Sequence, residues 1–593
     1  MVAARAKRGG ARAPRVRALR TGAVILLAAS AVAVSACASA QPTPATDVTA
    51  DGATLNGLLS SDRDEAVTHW FEYGKTIAYG AATPRQTTQI TDRTKRPVSE
   101  VVTGLEPSTT YHFTFCAQTP SFKTCGTDQS FTTAQGVPTV LSIAATPALS
   151  PEFDQQVSDY VTRCGSDPVS VAVAAPPATQ VAIDGQPAQS GRFTRTVQLA
   201  PGQAFEIVVD DGSPRTFHVR CLPSDFPAWT FTRSSAPTQA FTLLAVSKTG
   251  RYVAFFDSAG VPVWWYGVAT TAIDAKLLSN GTIAYARGPG GPFGTADTAY
   301  EIRRLDGSLV RTVTAVGSDT DHHDLQEIGT GDLLVLSYRR RDHVDLSPYG
   351  GPADATVLDA VIQELDPDGA VVWSWNSKDQ IALGETGPWW STVLAQPARL
   401  GDGTTAYDIV HVNAVEPDGD GLIVSMRHTN GVYRIDRADG HVDWKLGGTS
   451  TPQSLTVSSD AGSPPLRGQH DARRLGDGTV SVHDNGTGAG RPPRALRFRI
   501  DATARTATLT EKLTDAEITG SACCGSARKL DSGGWLMGWG ALSSPTVAEY
   551  AADGTRVFKL SFPDAFAYRA VPVPRGQITA AQLRQAMDTM HPR

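Results

Sequence analysis

At 593 residues the chain exceeds the roughly 250 to 300 residues that one hydrophobic core usually holds, so three folded units are expected. Its 53 lysines and arginines against 59 aspartates and glutamates give a formal charge of −6. Seven of the basic residues, Arg5, Lys7, Arg8, Arg12, Arg15, Arg17 and Arg20, fall in the first 20 positions; without them the charge is −6 − 7 = −13, which excludes an electrostatic footprint for nucleic acid.

That basic stretch is followed by an uncharged apolar run, Thr21 to Ala36. Its 16 residues are fewer than the ~20 a spanning helix needs, and the small residues before Cys37 complete the pattern of a secretory signal over residues 1–37. Val34-Ser35-Ala36-Cys37 resembles a bacterial lipobox, which implies a lipidated Cys37 at the mature N-terminus; an ordinary secretory signal with an incidental cysteine is the other reading. The expectation is an exported, lipid-anchored protein on the cell surface or the outer face of a membrane. Six cysteines then remain in an oxidising compartment, with Cys116 pairing Cys125 and Cys164 pairing Cys221, each inside one expected domain. Cys523 and Cys524 are adjacent, and either bond to each other or remain thiols.

Ala38 to about Ala45 is rich in proline and threonine and reads as a linker. Residues 46–135 alternate short strands with turn residues, and Leu105-Glu106-Pro107-Ser108-Thr109-Thr110-Tyr111 has the spacing of a tyrosine corner. The segment resembles a fibronectin type III sandwich, a spacer or adhesion module without chemistry of its own. Residues 138–224 form a second β-rich segment, in which Leu149, Phe153 and Tyr160 resemble the opening of a cadherin-like sandwich.

From 226 to 575 the sequence repeats. A strand, an Asp/Gly turn and a second strand recur at Asn280-Gly281, Thr330-Gly331, Asp418-Gly419, Asp477-Gly478 and Ser532-Gly533. A later strand running into Asp, often followed by tryptophan, recurs at Asp257, Asp306, Asp366, Asp436, Asp501 and Asp553. Copies about 50 to 65 residues apart suit four-stranded blades, and six of them close a propeller. The expected class is therefore all-β, a six-bladed β-propeller preceded by two small β-sandwiches.

Aligning the blades on the Asp/Gly turn puts His323, His411 and His470 at one phase of three consecutive repeats, so they converge at one mouth of the channel. His322, His343, His428, His441 and His483 read as turn or packing residues. His-His-Asp-Leu at His322 to Leu325, His411-Val412-Asn413, Ser425-Met426-Arg427, Trp444-Lys445-Leu446-Gly447-Gly448, Gln469-His470-Asp471 and Asp484-Asn485-Gly486 resemble the bacterial arylsulfate sulfotransferases, over roughly Phe226 to Ala570. That resemblance implies a PAPS-independent six-bladed propeller with no cofactor and no metal, using His470 as nucleophile. His323, His411 and Arg427 are then its anion-binding or proton-transferring partners, and His322, Asn413, Asp484 and Asn485 stand in support.

A sulfate monoester is transferred through a charge-dispersed transition state, by analogy with phosphoryl transfer, and needs positioning and positive charge. Neutral imidazole can attack sulfur near pH 7, and arginine offers a planar fork to tetrahedral oxyanions. The reaction implied is ping-pong transfer from an aryl sulfate to a phenol through a sulfohistidine. Trp389 and Trp390 either stack on an aryl acceptor or pack on the propeller rim. A metalloenzyme with three histidine ligands and a catalytically silent ligand-binding propeller are the readings from other classes.

Overall fold

The computed structural model describes residues 38–248, 251–291, 293–329, 331–458, 464–542, 544 and 546–593. The secretory signal and the lipidation reading of Cys37 lie outside the described residues. What is described is all-β apart from short helices, in two compact units that divide between Val137 and Pro138.

In the first unit, two sheets built around Gly52–Ser60 and around Glu65–Gly74 with Thr110–Gln118 enclose Leu55, Leu59, Phe71, Phe113 and Phe115. The Glu106 amide donates to the Tyr111 hydroxyl at 3.0 Å, the contact that the Leu-x-Pro-x-x-x-Tyr spacing calls for. Cys116 is bonded to Cys125. The segment read as a linker is in fact a strand, Ser39–Thr46, paired antiparallel with Gly52–Ser60. Ala38, Ala40 and Pro42 alternate inward and are buried, and the edge position tolerates the prolines because no ladder bond is lost on the solvent side.

The second unit opens with two sheets over residues 142–221, and in the second of them a disulfide ties Cys221, at the end of Arg215–Cys221, to Cys164, two residues past the neighbouring strand Asp159–Thr162. Six sheets follow among the described residues. Two are simple meanders of four consecutive strands, with inner strands Thr271–Leu277 and Val412–Asp418. Two more, with inner strands Asp319–Ile328 and His470–Arg474, add a parallel strand to such a meander, Thr405–Asp408 beside Ala355–Leu365 and Thr456–Ser458 beside Thr506–Leu513. The other two are stitched by the chain ends. Thr230–Arg233 joins the sheet of Ser526–Lys529 to Arg556–Ser561, and Ala565–Val573 is the inner strand of the sheet begun by Phe241–Lys248. The inner strands touch in chain order, and the last meets the first.

A terminal helix, Ala580–Met590, is capped by Thr579, whose hydroxyl accepts from the Gln582 amide. Its Leu583, Ala586 and Met587 enter a core that also holds Val161 and Leu222 of the preceding sandwich. Arg220 pairs with Asp588, and Arg584 with Asp159. The segments 138–224 and 226–575 therefore share a core, and the first is ion-paired to the terminal helix.

Candidate functional site

The site is made by irregularities at one level of the inner strands. In Thr271–Leu277, Asp274 and Ala275 face one residue of the neighbouring strand; in His470–Arg474, Asp471 and Ala472 do the same, and in Ala565–Val573, Tyr568 and Arg569. Asn413 is the extra residue of Val412–Asp418, and residues 321–324 are unpaired in Asp319–Ile328. Bulges leave residues out of the ladder and re-aim their side chains. The result is two layers built from neighbours in sequence. His323, His470 and Tyr568 enter an upper layer, and Asp324, Asp471 and Arg569 a lower one.

The lower layer is a closed network of buried charge. Arg569 reaches Asp274 at 2.7 Å, Asp324 at 3.1 Å and Asp471 at 3.3 Å. Arg473 meets Asp324 and Asp471, each at 2.9 Å, and Glu416 at 3.1 Å; Lys276 holds Asp274 and Asp324, and Arg528 holds Asp471. Four carboxylates, those of Asp274, Asp324, Glu416 and Asp471, face the four cations of Lys276, Arg473, Arg528 and Arg569, so the layer is neutral.

In the upper layer each imidazole is anchored through Nδ1. His323 Nδ1 donates to Asp321 Oδ1 at 2.6 Å, and His411 Nδ1 to Asp408 Oδ2 at 2.5 Å; in both cases the same carboxylate also accepts from the histidine's own amide. His470 Nδ1 faces two acceptors, Asn485 Oδ1 at 2.8 Å and the Gly468 carbonyl at 3.0 Å, so it carries the proton and Nε2 keeps the lone pair. The Asn485 orientation is fixed because its Nδ2 donates to Ser521 Oγ and the Cys524 carbonyl, both at 2.9 Å. His323 and His411 stand ring to ring at 4.9 Å, and Tyr568 lies edge-on to His323 at 5.6 Å and to His470 at 6.3 Å.

Burial holds His470 and His411 well below the usual imidazole range, with Arg427 and the neighbouring imidazoles adding to the effect. Both are neutral near pH 7. Asp321 is pushed up by burial, but the His323 imidazole beside it outweighs that, so its carboxyl stays below the ordinary range.

Arg427 extends from the short turn Arg427–Thr429. Its Nη2 donates to the Ala522 carbonyl at 3.0 Å, its Nη1 donates to His428 Nε2 at 2.9 Å, and its guanidinium lies 4.2 Å from the Trp389 ring centroid. Burial lowers its pKa to about 10, so it remains cationic at neutral pH. His428, read from the sequence as a turn or packing residue, stands in the cluster 4.8 Å from His411. Its signal was adjacency to Arg427, and only the fold places it against His411. Trp389 and Trp390 are both buried: Trp389 caps Arg427 and donates to Asn430, while Trp390 stacks on Tyr349.

Of the two adjacent histidines, His323 meets His411 and Tyr568, and His322 stacks against His323 at 4.6 Å with its pKa lowered to about 4 by burial. Asn413 donates to the Gln469 carbonyl and is fully buried. Asp484 faces away from the imidazoles, bonding Arg491 and Arg494 and the Arg467 amide. Asp321, Asp408 and Ser521 went unremarked in the sequence. A carboxylate two or three residues before each histidine was the available sign for the first two.

A metal is a further use of such donors: Asp408, His411 and His428 bring ligand atoms within 4.8 Å of one another. Most of these donors are engaged, since Asp408 accepts from His411 Nδ1, His428 Nδ1 donates to the Asp408 carbonyl, and its Nε2 accepts from Arg427, which leaves His411 Nε2 as the one open lone pair on the two imidazoles. A guanidinium bonded to a would-be ligand opposes a cation and suits an anion.

Residues 296–563 match the family model described as arylsulfotransferase (ASST). The matched stretch contains His323, His411, Arg427, His470 and Asn485. No curated protein matches the chain. Among solved structures, the chain is similar to a lignostilbene dioxygenase from Pseudomonas brassicacearum, at 11% identity over 67% of this chain and 92% of that one, with a TM-score of 0.27. It is also similar to a DUF4784 family protein from Bacteroides caccae, at 11% identity over 74% and 100%, TM-score 0.23. A third is the sensor domain of the anti-sigma factor RsgI4 in Pseudobacteroides cellulosolvens, at 18% identity over 16% and 95%, TM-score 0.15. At such scores these likenesses carry no argument.

Proposed function

We propose that this protein is an arylsulfotransferase of the ASST family, whose six sheets are the blades of a β-propeller and whose upper layer transfers a sulfuryl group from an aryl sulfate ester to a phenol without PAPS. The observation that carries the reading is His470, a buried neutral imidazole with Nδ1–H pinned by Asn485 and an unprotonated Nε2, beside two further imidazoles and a buried guanidinium.

In the first half-reaction His470 Nε2 attacks sulfur; the N–S bond forms, the S–O bond to the aryl group breaks, and the phenolate leaves. Arg427 stabilises the charge spread over the sulfuryl oxygens and the leaving oxygen. In the second, an acceptor phenol gives its proton to Nε2 of His323 or His411, its oxygen attacks sulfur, and the S–N bond breaks to restore His470. The first phenolate takes up a proton on release and the receiving imidazole gives its proton back after the second step, so over a full turnover aryl sulfate and phenol exchange with no net change in protons. Asp321 and Asp408 hold the receiving imidazoles in the tautomer that presents Nε2.

The test uses an aryl sulfate labelled with ³⁵S and a phenol acceptor. Parallel-line initial-rate patterns and an acid-labile label on His470 are expected. A label absent from His470 and present on no other histidine, or activity that follows a bound metal through chelation and add-back, overturns it. The leader further supports export and a lipid anchor through Cys37, with the protein on the outer face of a membrane. Membrane retention that survives Cys37→Ser would refute that anchor.

A further inference from the structure

The four residues Ser521 to Cys524 touch His470, Asn485 and Arg427 without contributing an acid, a base or a nucleophile. The Cys524 amide donates to His470 Nε2 at 3.2 Å, and the Cys524 carbonyl accepts from Asn485 at 2.9 Å. Ser521 Oγ accepts from the same Asn485 amide and donates to the Cys523 carbonyl at 3.2 Å. The Ala522 carbonyl accepts from Arg427. Both nitrogens of His470, the amide that orients it and the guanidinium are therefore referenced to one short loop.

Two features hold that loop in shape. Cys524 has a φ of 70°, in the left-handed region that non-glycine residues seldom adopt, and Cys523 and Cys524 are joined by a disulfide. The next residue, Gly525, also has positive φ (103°), and an added Cβ there would meet His483 Nε2 at 2.6 Å and the Gly538 carbonyl at 2.7 Å. The loop has little room to shift while closed. Cys164 and Cys221 are buried, whereas Cys523 and Cys524 are each half-buried and open to a small thiol.

We propose that the Ser521–Cys524 loop, locked by the Cys523–Cys524 disulfide, is the positioning element for His470 and Arg427, and that the thiol–disulfide state of this pair sets the rate of transfer. The proposal rests on the sulfotransferase reading for its rate readout, though not for its structural one. Opening the pair with a dithiol consumes one disulfide and two thiols and yields two cysteine thiols and the oxidised dithiol. The main chain is then released from its closed ring, the Cys524 amide no longer caps His470 Nε2, and Asn485 loses one of two anchors. An amide N–H pointing at Nε2 disfavours protonation there, so its departure raises the basicity of His470.

The experiment compares the full chain untreated, treated with dithiothreitol, and as the Cys523→Ser/Cys524→Ser double variant. Mass mapping verifies that the Cys116–Cys125 and Cys164–Cys221 bonds persist. With an aryl sulfate and a phenol, kcat is expected to fall about tenfold to a hundredfold, as small misplacements of reacting groups do, with KM within about twofold. The acid limb of the rate profile should move to higher pH, a change that a loss of folded protein would not produce. The imidazole titration of His470, followed by histidine-selective ¹⁵N labelling, should move the same way without turnover. Should the double variant not fold, the dithiol-treated chain carries the same comparison. An unchanged kcat together with an unchanged His470 titration overturns the positioning role. A shifted titration in a chain that transfers no sulfuryl group overturns the sulfotransferase reading and leaves the positioning role in place.

Discussion

Two polar layers lie one above the other at the meeting of the inner strands, and they are built on opposite rules. In the lower, every carboxylate of Asp274, Asp324 and Asp471 meets at least two cations. In the upper, His323 and His411 are bonded at Nδ1, with no partner at Nε2 among the described residues, and His470 meets a backbone amide there. Buried charge that is fully paired gives a rigid, specific floor at little net gain in stability. Buried imidazoles with one nitrogen unspent hold a reactive lone pair away from water. The adjacent residues of His323-Asp324 and His470-Asp471 divide between the two, so a strand bulge serves both layers.

The sharpest break of this comparison is His470→Asn. It removes the attacking atom and keeps a polar side chain of smaller volume, so transfer and histidine labelling should fall by ~10⁴-fold or more, with stability to urea changed by about 1 kcal/mol or less. A variant that kept a thousandth of wild-type transfer and its label would place the nucleophile elsewhere.

The opposite signature is expected below. Arg473→Met leaves Asp324 and Asp471 each short of a cation in a closed interior, which typically costs about 3–5 kcal/mol. Urea denaturation reads this directly, and kcat per folded molecule should stay within about threefold. A stable variant with lost activity would mean that the floor takes part in the reaction.

Arg427→Lys should lower kcat by about a hundredfold, because an ammonium cannot span the Ala522 carbonyl and a sulfuryl oxygen with one planar fork. Steady-state kinetics at saturating donor distinguish this from a binding defect confined to KM.

The pH response links the layers. His322 and His483, each lowered to about 4, and His428, lowered to about 3, owe the shift first to burial, as do His411 and His470. Their folded values lie below the ordinary unfolded value near 6.5, so the unfolded chain binds more protons as pH falls. Stability is then fully present above about pH 6.5 and declines progressively toward pH 4, which chemical denaturation at a series of pH values would measure. Activity per folded molecule should stay level from pH 8 to below 6.5, since His470 remains neutral. A rate that halves at pH 6.5 would contradict the burial argument.

The smallest effect lies farthest from the layers. Arg584→Ala severs the ion pair to Asp159 between the terminal helix and the second sandwich, and should cost about 1 kcal/mol with kcat unchanged.

Sequence alone carried the periodic part of this protein. Strand spacing and Asp/Gly turns announced a repeating all-β chain, the cysteines paired as their positions suggested, and the phase of the repeats put His323, His411 and His470 at one level. Periodicity encodes which face and which level a residue occupies, and nothing more. It misread Ala38–Ala45, whose prolines mask an alternation that only a neighbouring strand makes meaningful. Nor could it choose between His322 and His323, bring His428 to His411, or set Tyr568 and Arg569, from the far end of the chain, between His323 and Asp324. Those placements depend on bulges, on left-handed residues such as His411 and Cys524, and on contacts across 50 to several hundred residues. Each is fixed by what the opposing strands leave unpaired, a property of the assembled sheets that no local stretch of sequence contains.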